Sequence, residues 1–125
     1  MKEIHTQYSR NSKGHYVPGM IHNDTLYISG QLSLDLETGK IVEGGIAAET
    51  KRALMNMELV LDAAGLTKED IVMVRLYTSD GENWDIINSE YSKYFGDHKP
   101  ARAVVPTREL HYGCLVEIEA VAAVK

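Results

Sequence analysis

An arginine and two glutamates in the last quarter of the chain have the residue types and spacing that best suit chemistry. Arg102 opens an apolar stretch, and Glu117 and Glu119 lie inside the next one. An unpaired charge is costly to bury, so these groups either neutralise one another or bind a polar ligand. Arginine suits a carboxylate ligand because its planar guanidinium presents a rigid fork of donors. The pattern therefore indicates a structural ion pair or a small-anion site.

The two glutamates are two residues apart, so in a strand they point to the same face with Cα atoms about 6.6 Å apart. Two carboxylates at that spacing resist being ionised together. We expect one of them to pair with Arg75 or Arg102. The other is then available for proton transfer, because partial desolvation raises the pKa of a carboxyl toward neutrality. The residues alone leave open which glutamate has which role.

Four other positions are ordinary when taken singly. Tyr16 fits the core or rim of a sheet, Ser29 a strand end, Gly30 a bulge or bend, and Asn88 a solvated mid-helix position. Cys114, at the start of a strand, is typical of a small core residue. The five histidines show no metal-ligand spacing, so we expect no metal site.

The composition is that of one ordinary globular domain of 125 residues, with 44% hydrophobic and 25% charged residues. The formal net charge is −5 and no stretch concentrates Lys and Arg, which disfavours nucleic acid and anionic membranes as partners. A single cysteine excludes an intramolecular disulfide. No apolar run approaches the roughly 18 residues of a membrane helix. We expect a single-domain cytoplasmic protein.

Hydrophobic periodicity predicts the element order β-β-α-β-α-β-β. The predicted strands cover residues 15–22, 25–29, 71–78, 101–105 and 114–124, and the predicted helices cover residues 46–64 and 83–95. Pro18 and Gly19 interrupt the first strand, which should therefore be an edge strand or carry a bulge. Residues 1–14 are polar and fit an arm or a short edge strand.

This order predicts an α+β fold in which two helices cover one face of a mixed sheet. The strand at 71–78 is apolar on both faces, as expected of a central strand. No third helix is available for the other face of the sheet. The uncovered face therefore predicts a subunit interface.

Several stretches resemble the Rid family, also called YjgF. The most specific are Pro-Ala-Arg-Ala-Val-Val at 100–105 and Val-Glu-Ile-Glu-Ala at 116–120. Tyr-Val-Pro-Gly at 16–19, Ile-Ser-Gly-Gln at 28–31 and the helix positions Asn88, Tyr91 and Phe95 agree in order and spacing. The resemblance runs from about residue 15 to the end of the chain.

The resemblance implies a chorismate-mutase-like α+β domain that forms a homotrimer, with sheets around a central barrel and a cleft at each subunit interface. It also implies hydrolysis of reactive enamines and imines, such as 2-aminoacrylate and 2-imino acids, to 2-keto acids and ammonia. These compounds arise from pyridoxal-phosphate enzymes and damage them. Such hydrolysis requires no cofactor. By the same resemblance, Arg102 holds the substrate carboxylate and Glu119 positions the attacking water. Five positions would line the cleft: Tyr16, Ser29, Gly30, Asn88 and Val104.

Two departures from the family pattern leave the identity of the substrate undecided. Val104 stands where cysteine is common, and the segment 106–112 differs from the usual Val-x-x-Leu-Pro. We expect Glu117 to be the structural ion-pair partner. A second hypothesis is a non-catalytic trimer that senses small carboxylates such as 2-keto acids. A third, the endoribonuclease activity given to some family members, is disfavoured by the acidic charge and the absence of a basic, aromatic-rich stretch.

Overall fold

The computed structural model describes residues 1–9 and 13–125 of the chain. Within them, six strands form one sheet and two long helices connect them. In chain order the elements are β1 Lys2–Ile4, β2 Gly19–His22, β3 Thr25–Leu32, α1 Gly45–Ala63, β4 Ile71–Thr78, α2 Trp84–Phe95, β5 Ala101–Pro106 and β6 Val116–Ala123.

The sheet is mixed, and its strand order is β1-β2-β3-β6-β4-β5. The pair β4–β5 is parallel, and the other neighbouring strands are antiparallel. The predicted α+β architecture is therefore confirmed. Strand β6 lies between β3 and β4 and pairs with both of them. Strand β5 is an edge strand that ends at Pro106.

Alternation along β6 shows how the two faces of the sheet differ. Val116, Ile118, Ala120 and Ala122 are buried on the face that carries the helices. The residues between them point to the opposite face, because side chains alternate along a strand. That opposite face, called the open face below, has half-exposed members: Tyr27, Arg75, Tyr77, Glu117, Glu119 and Val121.

The helices begin and end within one residue of their predicted limits. On α1, the buried apolar stripe consists of side chains at most 1% exposed: Ala53, Leu54, Met57, Val60 and Leu61. Burying a Leu or Met side chain stabilises the fold by about 1.5–3 kcal/mol. Gly65, with φ +73°, ends the helix in a Schellman motif, since its N–H donates to Asp62 and that of Leu66 donates to Leu61.

Strands β2 and β3 differ most from the sequence-based prediction. Strand β2 begins at Gly19 rather than at residue 15, since Pro18 has no N–H to donate to a neighbouring strand. It is not an edge strand, because β1 pairs with it from outside. The irregularity lies instead in β3, whose register shifts between Ile28 and Gln31. Ser29 and Gly30 therefore form a bulge opposite β6.

Candidate functional site

The guanidinium of Arg102 is held against one side of α2 at the edge of the sheet. Arg102 aligns with the buried Val74 of β4, so its side chain lies on the helix-bearing face. Its Nη1 donates to Oδ1 of Asn88 at 2.9 Å. Its Cζ lies 4.8 Å from the ring centroid of Tyr91 and 5.6 Å from that of Trp84, within cation–π range. We call these four residues the arginine cluster.

The arginine cluster contains a cation but no counterion. Among the described residues Arg102 forms no ion pair, so it is not the structural pair that position alone allowed. Asn88 is half-buried in this contact rather than solvated. Only one of the five guanidinium N–H groups has a hydrogen-bond acceptor in this part of the chain. The remaining donors can hold a carboxylate in bidentate fashion.

Tyr91 adds an unused polar group to the same cluster. Its hydroxyl is buried and has no hydrogen-bond partner in the described parts of the chain. Burial raises the pKa of Tyr91 to about 12, although the nearby Arg102 opposes this shift. The hydroxyl therefore stays protonated and remains a potential donor at physiological pH. Buried donors without partners are rare in folded proteins.

On the open face, Glu119 is the glutamate that is paired. Its Oε1 accepts a hydrogen bond of 2.5 Å from the Tyr77 hydroxyl and lies 3.5 Å from Nη1 of Arg75. The hydrogen bond to Glu119 raises the pKa of Tyr77. The prediction that one glutamate pairs with Arg75 is confirmed. The prediction that this glutamate is Glu117 is wrong, because the register places Arg75 opposite Glu119.

Of these two glutamates, Glu117 has no ion pair in the described chain, and it lies against the β3 bulge. A Cβ atom added to Gly30 would come within 2.5 Å of Oε2 of Glu117. Burial raises the pKa of Glu117, the charge of Glu119 raises it further, and His111 opposes the shift. A raised pKa makes the Glu117 carboxylate a stronger base than an ordinary glutamate. Glu117 is therefore the candidate for proton transfer, whereas Glu119 is engaged with Tyr77 and Arg75.

The bulge also brings Ser29 to this region, but not Tyr16. Ser29 donates from Oγ to the Val17 carbonyl at 2.6 Å and from its N–H to the Pro18 carbonyl at 2.9 Å. These bonds tie the segment that follows Tyr16 to β3. The Tyr16 side chain is 59% exposed and lines a groove of about 120 Å³ together with Leu59 and Val60 of α1, so the structure does not bring it to Glu117. We call Ser29, Gly30 and Glu117 the bulge cluster.

The two clusters do not meet within one chain. Arg102 aligns with Val74, Val74 with Ala120, and Ala120 with Ile28. Three strand spacings, about 14 Å, therefore separate Arg102 from the start of the bulge. Val104 lies on the arginine side, next to Leu76. Glu117 also points away from Arg102, toward the open face. A small molecule cannot touch both groups in a single chain.

Other features of the described chain do not add to this site. A groove of about 390 Å³ beside α1 is lined by Tyr8, Arg52 and Asn56 among others, and includes neither Arg102 nor Glu117. Residues 1–9 and 13–125 contain no group of three or more His, Cys, Asp or Glu side chains that could hold a metal ion. Neither α1 nor α2, nor any shorter described helix, has the length and apolarity to cross a membrane.

Sequence reasoning missed Trp84, Tyr91 and Tyr77 as parts of the site. A signal for the first two was present, because Trp84, Asn88 and Tyr91 are spaced i, i+4 and i+7 and so share one helix face. That spacing places Asn88 between two aromatic rings. Tyr77 had no comparable signal, since its contact with Glu119 depends on how β4 aligns with β6.

The fold and these clusters define a small α+β protein with an unpaired arginine at one sheet edge and a glutamate-bearing open face. The family model for endoribonuclease L-PSP matches residues 6–124. The chain belongs to this family, which is also known as the YjgF/RidA family.

Three similar proteins illustrate the relationship. A RutC family protein of Pyrococcus horikoshii is 37% identical over 123 residues, covering 98% of each chain. The 2-iminobutanoate/2-iminopropanoate deaminase of Homo sapiens is 37% identical over 119 residues, covering 95% of this chain and 87% of the human one. The crystal structure of E. coli TdcF with bound serine has a TM-score of 0.92 at 29% identity, covering 100% of both chains.

Replacing Gly30 tests the contact between the bulge and Glu117. We expect Gly30→Ala to fold normally, because Gly30 does not have a positive φ and the atom it would meet ends a flexible side chain. The added methyl group should displace the Glu117 carboxyl and lower kcat for the imine hydrolysis proposed below by about tenfold or more. Steady-state kinetics and thermal unfolding measure the two effects. Unchanged kcat in the folded variant would contradict the placement of Glu117.

Proposed function

We propose that the protein hydrolyses 2-imino acids and their enamine tautomers to 2-keto acids and ammonia. The observation that carries this proposal is that Arg102 is held in a fixed orientation without a described counterion. An asparagine and two aromatic rings orient its guanidinium, and no described carboxylate neutralises it. A half-buried arginine held in this way suits a small carboxylate ligand. The human relative named as an imine deaminase supports the choice of reaction.

We further propose that the site is completed between two copies of the chain in a homotrimer. The arginine cluster of one copy would face the bulge cluster of the next. This arrangement accounts for two properties of the single chain. Three strand spacings, about 14 Å, separate Arg102 from the bulge, and Arg102 and Glu117 lie on opposite faces. In addition, no described helix covers the open face. Tyr27, which is 50% exposed, and Val121 beside it are suited to such a contact.

The chemistry requires few groups. Arg102 binds the carboxylate of the substrate and fixes the imine carbon beside Glu117. An enamine first takes a proton on its β-carbon and loses one from its nitrogen, and so becomes the imine. The Glu117 carboxylate then accepts a proton from a water molecule as the water oxygen bonds to the imine carbon. The protonated Glu117 returns that proton to the nitrogen, which gives a carbinolamine. The Glu117 carboxylate then takes the proton of the carbinolamine hydroxyl and passes it to the amino group, so that the carbon–nitrogen bond breaks and ammonia leaves as the keto carbonyl forms. Holding the reactants in position supplies much of the acceleration.

A binding protein without turnover is the second candidate. The serine bound to TdcF supports it, since serine carries a carboxylate and TdcF has the same fold at 29% identity. Arg102 would have the same role in both functions, but Glu117 would be dispensable for binding. RNA cleavage, which the family name describes, receives no support from the net charge of −5.

The direct experiment generates 2-aminoacrylate in situ with a pyridoxal-phosphate-dependent lyase and follows release of pyruvate. Semicarbazide traps the imine. In its presence, the wild-type protein should lower the yield of trapped imine and raise the yield of pyruvate. The rate of pyruvate release should increase in proportion to the concentration of the protein. No acceleration at micromolar protein, together with saturable binding of pyruvate, would favour the binding protein over the enzyme.

A further inference from the structure

Three buried polar side chains from three parts of the chain form a hydrogen-bonded cluster around the backbone of Leu115. Ser33 follows β3, Glu49 belongs to α1, and Thr78 ends β4. Their exposed fractions are 0%, 4% and 0% respectively. Buried polar groups are costly unless they are hydrogen-bonded, and a carboxylate is the most costly of these. We call this group with Leu115 the Leu115 clamp.

The clamp binds Leu115 on both sides of its backbone. Oε1 of Glu49 accepts a hydrogen bond from the Leu115 N–H at 2.8 Å and another from Oγ of Ser33 at 2.7 Å. The Leu115 carbonyl accepts a hydrogen bond from Oγ1 of Thr78 at 2.9 Å. One carboxylate oxygen therefore links α1, the end of β3 and the entry to β6. Hydrogen bonds to a charged acceptor are shorter and stronger than neutral ones.

The Leu115 clamp lies beside Glu117 along the strands, so it can influence the position of Glu117 in the proposed site. Glu117 aligns with Leu32 of β3 and with Tyr77 of β4. Ser33 and Thr78 are the next residues along these two strands, and Leu115 lies two residues before Glu117. The clamp thus ties together three strands immediately beyond the row that carries Glu117. Its side chains lie on the helix-bearing face, so they reach Glu117 only through the backbone.

We propose that Glu49 is a positioning residue for Glu117: by fixing Leu115 it holds the Glu117 carboxyl against the Gly30 bulge. The proposal rests on the function proposed above for Glu117. Without Glu49, the Leu115 N–H and the Ser33 hydroxyl lose their acceptor in a buried place. The entry to β6 would then relax toward water, and Glu117 would move out of its contact with the bulge. Displacement of this kind by 1 Å costs up to about 100-fold in rate.

The test compares Glu49→Ala with Glu49→Gln and with a control on the same helix. Glu49→Ala should lower kcat by about tenfold or more and leave KM nearly unchanged, since the arginine cluster is untouched. Glu49→Gln keeps a carbonyl acceptor at the same place and should restore kcat to within about threefold. The control is Thr50→Val, which removes a buried hydroxyl bonded only to the Ile46 carbonyl within α1. It should cost stability without changing kcat.

A second readout separates positioning from activity. The carboxyl carbon of Glu117, identified in ¹³C spectra by its loss in Glu117→Gln, should titrate at lower pH in Glu49→Ala because the displaced carboxyl is better hydrated. If wild-type protein shows no hydrolysis, the proposed function fails, and this titration still decides the role of Glu49. Wild-type kcat and an unchanged Glu117 titration in folded Glu49→Ala would overturn the proposal.

Two milder variants keep the proposal testable if Glu49→Ala does not fold. Ser33→Ala and Thr78→Val each remove one arm of the clamp and leave the Glu49 bond to Leu115 in place. Each should lower kcat by about two- to fivefold at constant KM. Full kcat in both folded variants would count against positioning by the clamp.

Discussion

Replacing Arg102 with alanine should lower kcat/KM for imine hydrolysis by about 10²–10³-fold, because the substrate carboxylate loses its charged partner. The loss should affect both KM and kcat, since Arg102 binds the substrate and also aligns the imine carbon with the water. The fold should persist. Arg102 is half-buried and leaves behind only the Asn88 amide, which water can reach.

Two controls make this prediction specific. Arg102→Lys keeps the charge but not the planar fork, so it should recover only part of the lost kcat/KM. Arg52→Ala removes a half-buried arginine from α1, beside a groove remote from the arginine cluster, and should leave the kinetics unchanged. The three variants are compared by steady-state kinetics, with circular dichroism as the check on folding. Near-wild-type turnover in folded Arg102→Ala would rule out the carboxylate role.

Replacing Glu117 with glutamine should lower kcat by about 10²–10⁴-fold while the affinity for 2-keto acids stays nearly unchanged. Glutamine keeps the size of the side chain but cannot take a proton from water. Glu119→Gln is the matched control two residues away on the same face. It should retain turnover within about tenfold and shift the pH profile, since loss of its charge lowers the pKa of Glu117. If Glu119→Gln lowered kcat much more than Glu117→Gln, the proton-transfer role would belong to Glu119 instead.

Glu117→Gln should also be more stable than the wild-type protein at neutral and alkaline pH. The folded state raises the pKa of Glu117 above its ordinary value of 4.5, mainly through burial. The folded protein therefore binds this proton more tightly than the unfolded chain, and ionised Glu117 costs stability above the raised pKa. Below the ordinary pKa both side chains are neutral and the difference should vanish. Chemical denaturation at pH 8 and pH 4 measures it. A stability difference that is independent of pH would contradict the assigned environment.

Sequence patterns predicted the elements well because they depend on local physics. The apolar stripe that places Leu54, Met57 and Leu61 on one side of α1 is visible in the spacing alone. The stop at Gly65 follows from its freedom to adopt a positive φ. For residues 1–14 the sequence left an arm and a short edge strand open, and the structure has the edge strand β1, which is three residues long with one buried side chain. Its pairing with β2 depends on tertiary contact, which the sequence of so short a segment does not specify.

The site was harder to predict because it depends on register. Arg102 and Glu119 were identified as two halves of one site, yet they lie on opposite faces of the sheet. Which glutamate pairs with Arg75 is decided by the alignment of β4 with β6, and a shift by two residues would exchange their roles. The Gly30 bulge, which gives Glu117 its contact, is also a property of strand pairing.

Mixing two inactive variants tests most directly the claim that Arg102 of one copy works with Glu117 of another. Arg102→Ala and Glu117→Gln are unfolded together in equal amounts, refolded and assayed beside each variant refolded alone. In a closed ring each interface takes its arginine side and its glutamate side from independent copies, so about a quarter of the sites should hold both native residues. The expected result is about a quarter of wild-type activity from the mixture. A mixture that forms mixed oligomers but is no more active than its components would contradict the shared site.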